Sequence, residues 1–118
     1  MAVSNVPVLT GVALFVDTVN AATAVSVKAS SSVIYGIECD NTANAAPTYT
    51  RLYNAAACIP GTTVPDWIIM TPANVSRSIV IPSGVTFATG LWCTSGTSAT
   101  LATITAPSSA FILRLAYV

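Results

Sequence analysis

Every apolar run in this chain is short and is stopped by proline, glycine or asparagine, and none keeps the i, i+3, i+4, i+7 spacing that lines one side of a helix. β-Branched and aromatic residues fill the runs, so the periodicity that remains is the two-residue alternation of strands. This pattern predicts an all-β chain with strands over residues 12–16, 23–29, 33–40, 48–54, 66–71, 75–81, 85–94, 99–105 and 111–118. Turns are expected over 41–47, 60–61, 64–66, 72–74, 82–84, 95–96 and 107–109, where Pro, Gly, Asn and Ser cluster. Connections this short and regular favour two stacked sheets, a two-sheet β-sandwich that is jelly-roll-like. With 118 residues there is material for one core. Residues 1–22 are expected to form an N-terminal arm or first strand, and residues 23–118 the β-sandwich domain.

Alternation assigns faces to two strands. Val33, Tyr35, Ile37 and Cys39 are expected to point into the core, opposite a set ending in Glu38 and Asp40. Phe111, Leu113, Leu115 and Tyr117 are expected to do the same in the last strand. The other side of that strand holds Ile112 and Val118 beside Arg114 and Ala116, so both faces should be at least half covered, as in a sheet that meets another subunit. Near the start, Val12, Leu14 and Val16 alternate well enough for an ordinary sheet; the competing expectation is an arm added to a neighbour as an extra strand.

Charge narrows the function. Only 7% of the residues are charged, four basic and four acidic, against roughly 25% in an ordinary soluble domain, while 53% are hydrophobic. A free monomer would show water a surface of Ala, Ser and Thr with apolar patches and no net charge to keep copies apart. The composition therefore points to life inside an assembly and to scaffolding. Lys28, Arg51, Arg77 and Arg114 stand singly along the chain, which gives no electrostatic footprint for nucleic acid. No apolar stretch reaches the roughly 18–20 residues of a membrane-spanning helix. A secretory signal should open on basic residues, and none precedes Lys28.

There is no histidine, so Ser-His-Asp and Cys-His catalysis and imidazole-based metal sites are excluded within one chain. Glu38 and Asp40 share a strand face and are the best carboxylate pair for acid/base work, but they read better as a solvated strand end leading into a turn. Asp40, Asn41 and Asn44 offer oxygen ligands without the spacing of a calcium loop, so turn capping is expected of them. The glycines are dispersed and cradle no phosphate. Cys39, Cys58 and Cys93 are odd in number and irregular in spacing, which fits reduced thiols of a protein made in a reducing cytoplasm better than a disulfide framework. We expect no enzyme, no cofactor and no metal.

The remaining candidates are contact residues. Tyr49, Arg51 and Tyr53 alternate on one strand face, and with Trp67 and Trp92 they suit either an interface anchor or a platform that stacks on sugar rings. Trp67, which leads Ile68-Ile69-Met70, also suits plain core packing. Arg77 and Arg114 lie among apolar strand residues, where a guanidinium can reach a carboxylate across a subunit boundary or lay its stem over its neighbours. Together with Ile112 these make the candidate interface: Tyr49, Arg51, Tyr53, Trp67, Arg77, Trp92, Ile112 and Arg114.

Four segments, Tyr35-Gly36-Ile37-Glu38-Cys39-Asp40-Asn41-Thr42-Ala43, Tyr49-Thr50-Arg51-Leu52-Tyr53-Asn54, Gly61-Thr62-Thr63-Val64-Pro65-Asp66 and Phe87-Ala88-Thr89-Gly90-Leu91, resemble small virion proteins of tailed bacteriophages. The resemblance spans roughly residues 33–94. It implies a capsid decoration (cement) protein, a homotrimer seated where major capsid protein subunits meet on the capsid surface and clamping the expanded shell. Similarity to tail, neck or fibre modules, or to a carbohydrate-binding β-sandwich at a fibre tip, is the alternative.

Overall fold

A computed structural model describes residues 11–19, 23–98, 100 and 104–118. Among the described residues the regular structure is eight strands: β1 (Ala13–Val19), β2 (Val25–Lys28), β3 (Ser32–Asp40), β4 (Thr48–Asn54), β5 (Trp67–Thr71), β6 (Ser76–Phe87), β7 (Leu91–Gly96) and β8 (Phe111–Tyr117). They form two four-stranded antiparallel sheets, ordered β1-β8-β3-β6 and β2-β7-β4-β5. The strand pairs β1·β8, β2·β7, β3·β6 and β4·β5 nest like the two arms of one long hairpin, which has been rolled so that β8 also meets β3 and β7 also meets β4. That connectivity is the jelly roll. The all-β, two-sheet expectation holds.

The core lies between the sheets. Ile34, Ile37, Cys39, Phe111, Leu113 and Leu115 enter it from one side, and Leu52, Ile69, Leu91 and Cys93 from the other. Trp67 meets Phe87 edge to face at 6.2 Å between ring centroids. Polar residues on the inner face of the second sheet are mostly partnered: Thr50 Oγ1 lies 3.1 Å from Ser95 Oγ, and Thr48 donates to Asn41 Oδ1 in the β3–β4 connection at 2.8 Å, while Thr71 Oγ1 is buried without a partner among the described residues.

One end of the sandwich is tied by two buried asparagines. Asn41 donates its side-chain amide to the carbonyls of Ala46, Thr71 and Pro72. Asn44 accepts from the Ser109 backbone N–H at 2.9 Å and donates to the Ala110 carbonyl. The connections that follow β3, β5 and β7 are thereby fastened to one another. Both amides serve backbone groups, as turn capping requires, and Asp40 accepts from the hydroxyl and N–H of Thr42.

Several sequence expectations are corrected. Residues 82–84 are not a turn: β6 runs through Pro82-Ser83-Gly84. Opposite Tyr35 the register jumps from Ile34↔Val85 to Gly36↔Val80, so β6 bulges outward there. Because β6 is an edge strand, a proline without an N–H breaks no second ladder. Gly84 has φ +73° and lies against Val33 and Tyr35, where a Cβ has no room. The expected strand 85–94 is consequently two strands separated by Ala88-Thr89-Gly90, and Ser95-Gly96 closes β7 rather than forming a turn.

A one-residue bulge at Tyr35, where two steps on β3 face one on β8, shifts the faces of β3: Ser32, Ile34, Ile37 and Cys39 are buried, whereas Val33 and Tyr35 lie on the outer side. The expected set in β8 is right for Phe111, Leu113 and Leu115, with Tyr117 half-buried at the strand end. In β1 the inward residues are Phe15, Asp17 and Val19, opposite Leu115, Leu113 and Phe111, so Leu14 and Val16 face outward rather than into the core. Within the 1–22 segment, residues 13–19 pair with the chain's own β8; residues 1–10 and 20–22 lie outside the described residues. The expected strand 99–105 falls largely on undescribed positions, and Ile104 and Thr105 are not in a strand.

Candidate interaction face

The outer faces of the two sheets decide what this molecule can touch. On the outer side of β2-β7-β4-β5, cross-strand register sets Tyr49, Arg51 and Tyr53 opposite Gly96, Thr94 and Trp92. The chain then folds back over this face after β7. Arg51 Nη2 donates to the carbonyls of Ser98 and Thr100, and the Thr97 N–H donates to the Thr105 carbonyl at 2.8 Å. A Cβ on Gly96 would sit 2.6 Å from the Thr105 carbonyl oxygen and 2.9 Å from Ile104 Cγ2, so glycine is what permits the close approach.

Arg51 and Tyr53 are each only 1% exposed as a result. Tyr53 Oη pairs with Thr94 Oγ1 at 3.1 Å, and burial raises its pKa above the ordinary phenol value. Arg51 Nε and Nη1 and Trp92 Nε1 are buried without a partner among the described residues. The Tyr49, Arg51 and Tyr53 stripe that suited an anchor or a sugar platform is therefore largely enclosed by its own chain. Trp67 lies on the opposite, core-facing side of the sheet, opposite Leu52, so the four aromatic candidates do not share an exposed face. Arg77 is exposed on β6 and donates to the Met70 carbonyl, bridging the edges of the two sheets.

The outer side of β1-β8-β3-β6 is different. Cross-strand register places residues in rows that span the sheet. One row is Leu14, Ala116, Gly36, Val80; the next is Val16, Arg114, Glu38, Ser78; the third is Thr18, Ile112, Asp40, Ser76. Leu14 is 66% exposed, Val16 50% and Val80 77%. Between Leu14 and Val80 the side chains shrink to Ala116 and Gly36, leaving a shallow trough of about 350 Å³. Arg114 Nη1 donates to Glu38 Oε1 at 2.7 Å beside this trough, an intrachain pair with both side chains partly exposed.

Of the eight sequence candidates, this structure brings together only Ile112 and Arg114 on the open face. Sequence reasoning missed Leu14, Val16, Val80, Ala116 and Gly36. Leu14 and Val16 alternate as one face of a strand does, but alternation alone leaves open whether that face is the inward one, and the true inward set contains Asp17. Burial raises the Asp17 pKa above its ordinary value. It also contributes to the elevation of Cys93, which is pushed up to about 12 chiefly by burial. Cys39 and Cys58 are likewise raised by burial, so none of the three free thiols is tuned for nucleophilic attack. Among the described residues no group of three His, Cys, Asp or Glu side chains could hold a metal ion, and no helix is long and apolar enough to cross a membrane.

No protein-family model, curated protein or solved structure matches this chain.

Proposed function

We propose that this chain is a structural component of a tailed-phage virion, a decoration protein that braces the head shell by seating apolar β surface against major capsid protein and against its own copies. The observation that supports the reading is the open outer face of β1-β8-β3-β6, with three large aliphatic side chains half or more exposed on a chain that carries eight charged residues in all. Exposed apolar surface that is contiguous and rimmed by polar residues marks a contact site. The jelly roll is an architecture of viral coat domains, which agrees with the reading without identifying it. The resemblance over residues 33–94 supplies the particle.

The chemistry available is binding rather than catalysis. Glu38 is held by Arg114 and Asp40 by Thr42, which leaves no free carboxylate pair on that strand face. Many weak copies of one apolar contact add up when the particle presents them together. The test is to mix purified protein with undecorated capsids and count bound copies by mass. Saturable binding that persists at high salt is expected, since burial of apolar surface is not screened. Capsids whose lattice faces stay bare would point instead to a tail or connector component and would overturn the decoration role.

A further inference from the structure

We infer that the outer face of β1-β8-β3-β6 is closed by the same face of a second copy, related by a two-fold axis that runs along the strands between β8 and β3. It rests on the assembly reading above only for the expectation that the face is occupied; the occupant is a second copy in a two-fold pair, in place of the trimer that the resemblance implies, and contact with capsid protein then falls to the remaining surface.

The rows of the sheet carry the argument. Rotation about such an axis turns each row end for end and lays it on the equivalent row of the second copy. In the row Val16, Arg114, Glu38, Ser78, the two central positions exchange, so each Arg114 comes over the Glu38 of the other copy. Four charges then form a neutral ring in which every guanidinium meets a carboxylate from its own chain and one from its mate. In the row Leu14, Ala116, Gly36, Val80, the same rotation brings Leu14 over Val80 at both flanks and the small pair Ala116 and Gly36 over each other in the middle. The two most exposed aliphatic side chains of the face, at 66% and 77%, thus cover one another.

An axis across the strands through the charged row does the opposite, setting Arg114 on Arg114 and Glu38 on Glu38. Like charges so placed oppose that arrangement. The symmetric contact is also self-limiting, because a face that meets its own copy leaves no second copy of itself to propagate.

The experiment is light scattering across a concentration series, with circular dichroism to check the fold. The wild-type chain is expected at twice its monomer mass. Leu14→Asp with Val80→Asp, both on exposed positions, should return it to monomer while the β spectrum is kept. The deciding arm uses charge: Glu38→Arg alone and Arg114→Glu alone should each weaken self-association by at least about tenfold, and mixing the two variants should restore dimers, because each new repulsive pair then meets its complement.

A wild-type chain that stays monomeric at every concentration, or forms trimers that the Leu14 and Val80 changes leave intact, overturns this face. So does a mixture of the charge variants that remains monomeric beside a dimeric wild type. The capsid result is separate. Dimers by this face with no capsid binding would sink the virion role alone, and capsid binding by a strict monomer would sink the dimer alone.

Discussion

The two sheets share one core and differ in the middle of their outer surfaces, although the β5 edge of the covered sheet also leaves Ile68 and Met70 exposed. On β2-β7-β4-β5 the returning backbone takes up the Arg51 guanidinium and Tyr53 is buried beside it, while on β1-β8-β3-β6 the chain leaves leucine and valine open to solvent. Simple partition would reverse this, since charged groups are rarely enclosed and large aliphatic ones usually are. The difference teaches that position along the roll matters more than residue type. The connection from β7 to β8 returns across one outer face on its way between sheets, and no described segment of the chain does so on the other.

That contrast can be broken most forcefully at Arg51. Arg51→Ala leaves the Ser98 and Thr100 carbonyls without their donor and opens space beneath them, so urea unfolding should show a loss of about 2–3 kcal/mol. The matching change on the open sheet, Arg114→Ala, removes a partly exposed ion pair and should cost less than about 1 kcal/mol. Equal losses would mean that the two faces are not closed and open as described.

Two glycines sharpen the comparison at a smaller scale. Gly96→Ala drives a methyl group onto the Thr105 carbonyl and should destabilise by about 1–3 kcal/mol. Gly36→Ala finds 3.7 Å to Ala116 Cβ and ordinary contact elsewhere, so its effect should fall within about 0.5 kcal/mol in the same assay.

Asp17 supplies a pH-dependent prediction on the open sheet. Its folded pKa is raised, so the folded state holds the proton more tightly than the unfolded chain does. The stability tied to the protonated carboxyl is present below the ordinary value of 3.8 and is lost as the pH climbs through the raised one. Asp17→Asn should therefore raise Tm modestly at neutral pH, and the gain should vanish as the pH is taken below the carboxylate range. An inward charge on the edge strand β1 also discourages stray strand pairing, so the variant should aggregate more readily on heating.

The smallest expected effect is on Asp40, where the Thr42 hydroxyl, then the Thr42 N–H, lowers the pKa. Its contribution is present above 3.8 and fades as the pH falls through the lowered value, and Thr42→Ala should shift acid unfolding only slightly upward in pH, read by tryptophan fluorescence.

Much of the fold was legible because strand signals are local. The runs at residues 33–40, 48–54 and 111–118 match β3, β4 and β8 almost residue for residue, and Phe111, Leu113 and Leu115 point inward as alternation requires. Two of the failures come from irregular register. At Tyr35 an extra residue exchanges the faces of β3, from Ile34 to Ile37, and at Pro82-Ser83-Gly84 β6 bulges where a turn is expected, with Ile79, Ile81, Val85 and Phe87 inward on both sides of it. The candidate face was less legible still. Leu14 and Val16 look like core residues when only their own strand is in view, and Arg51 looks like a surface anchor until the returning connection is seen above it.

The sequence by itself determined an all-β chain, poor in charge and without histidine, because composition and short-range periodicity are properties of neighbours along the backbone. Tertiary structure alone decided which apolar stripe is inside and which is left open. Both faces of a strand carry aliphatic residues here, and only the rolled hairpin, with its bulges and its one returning connection, assigns one face to the core and the other to whatever lies outside.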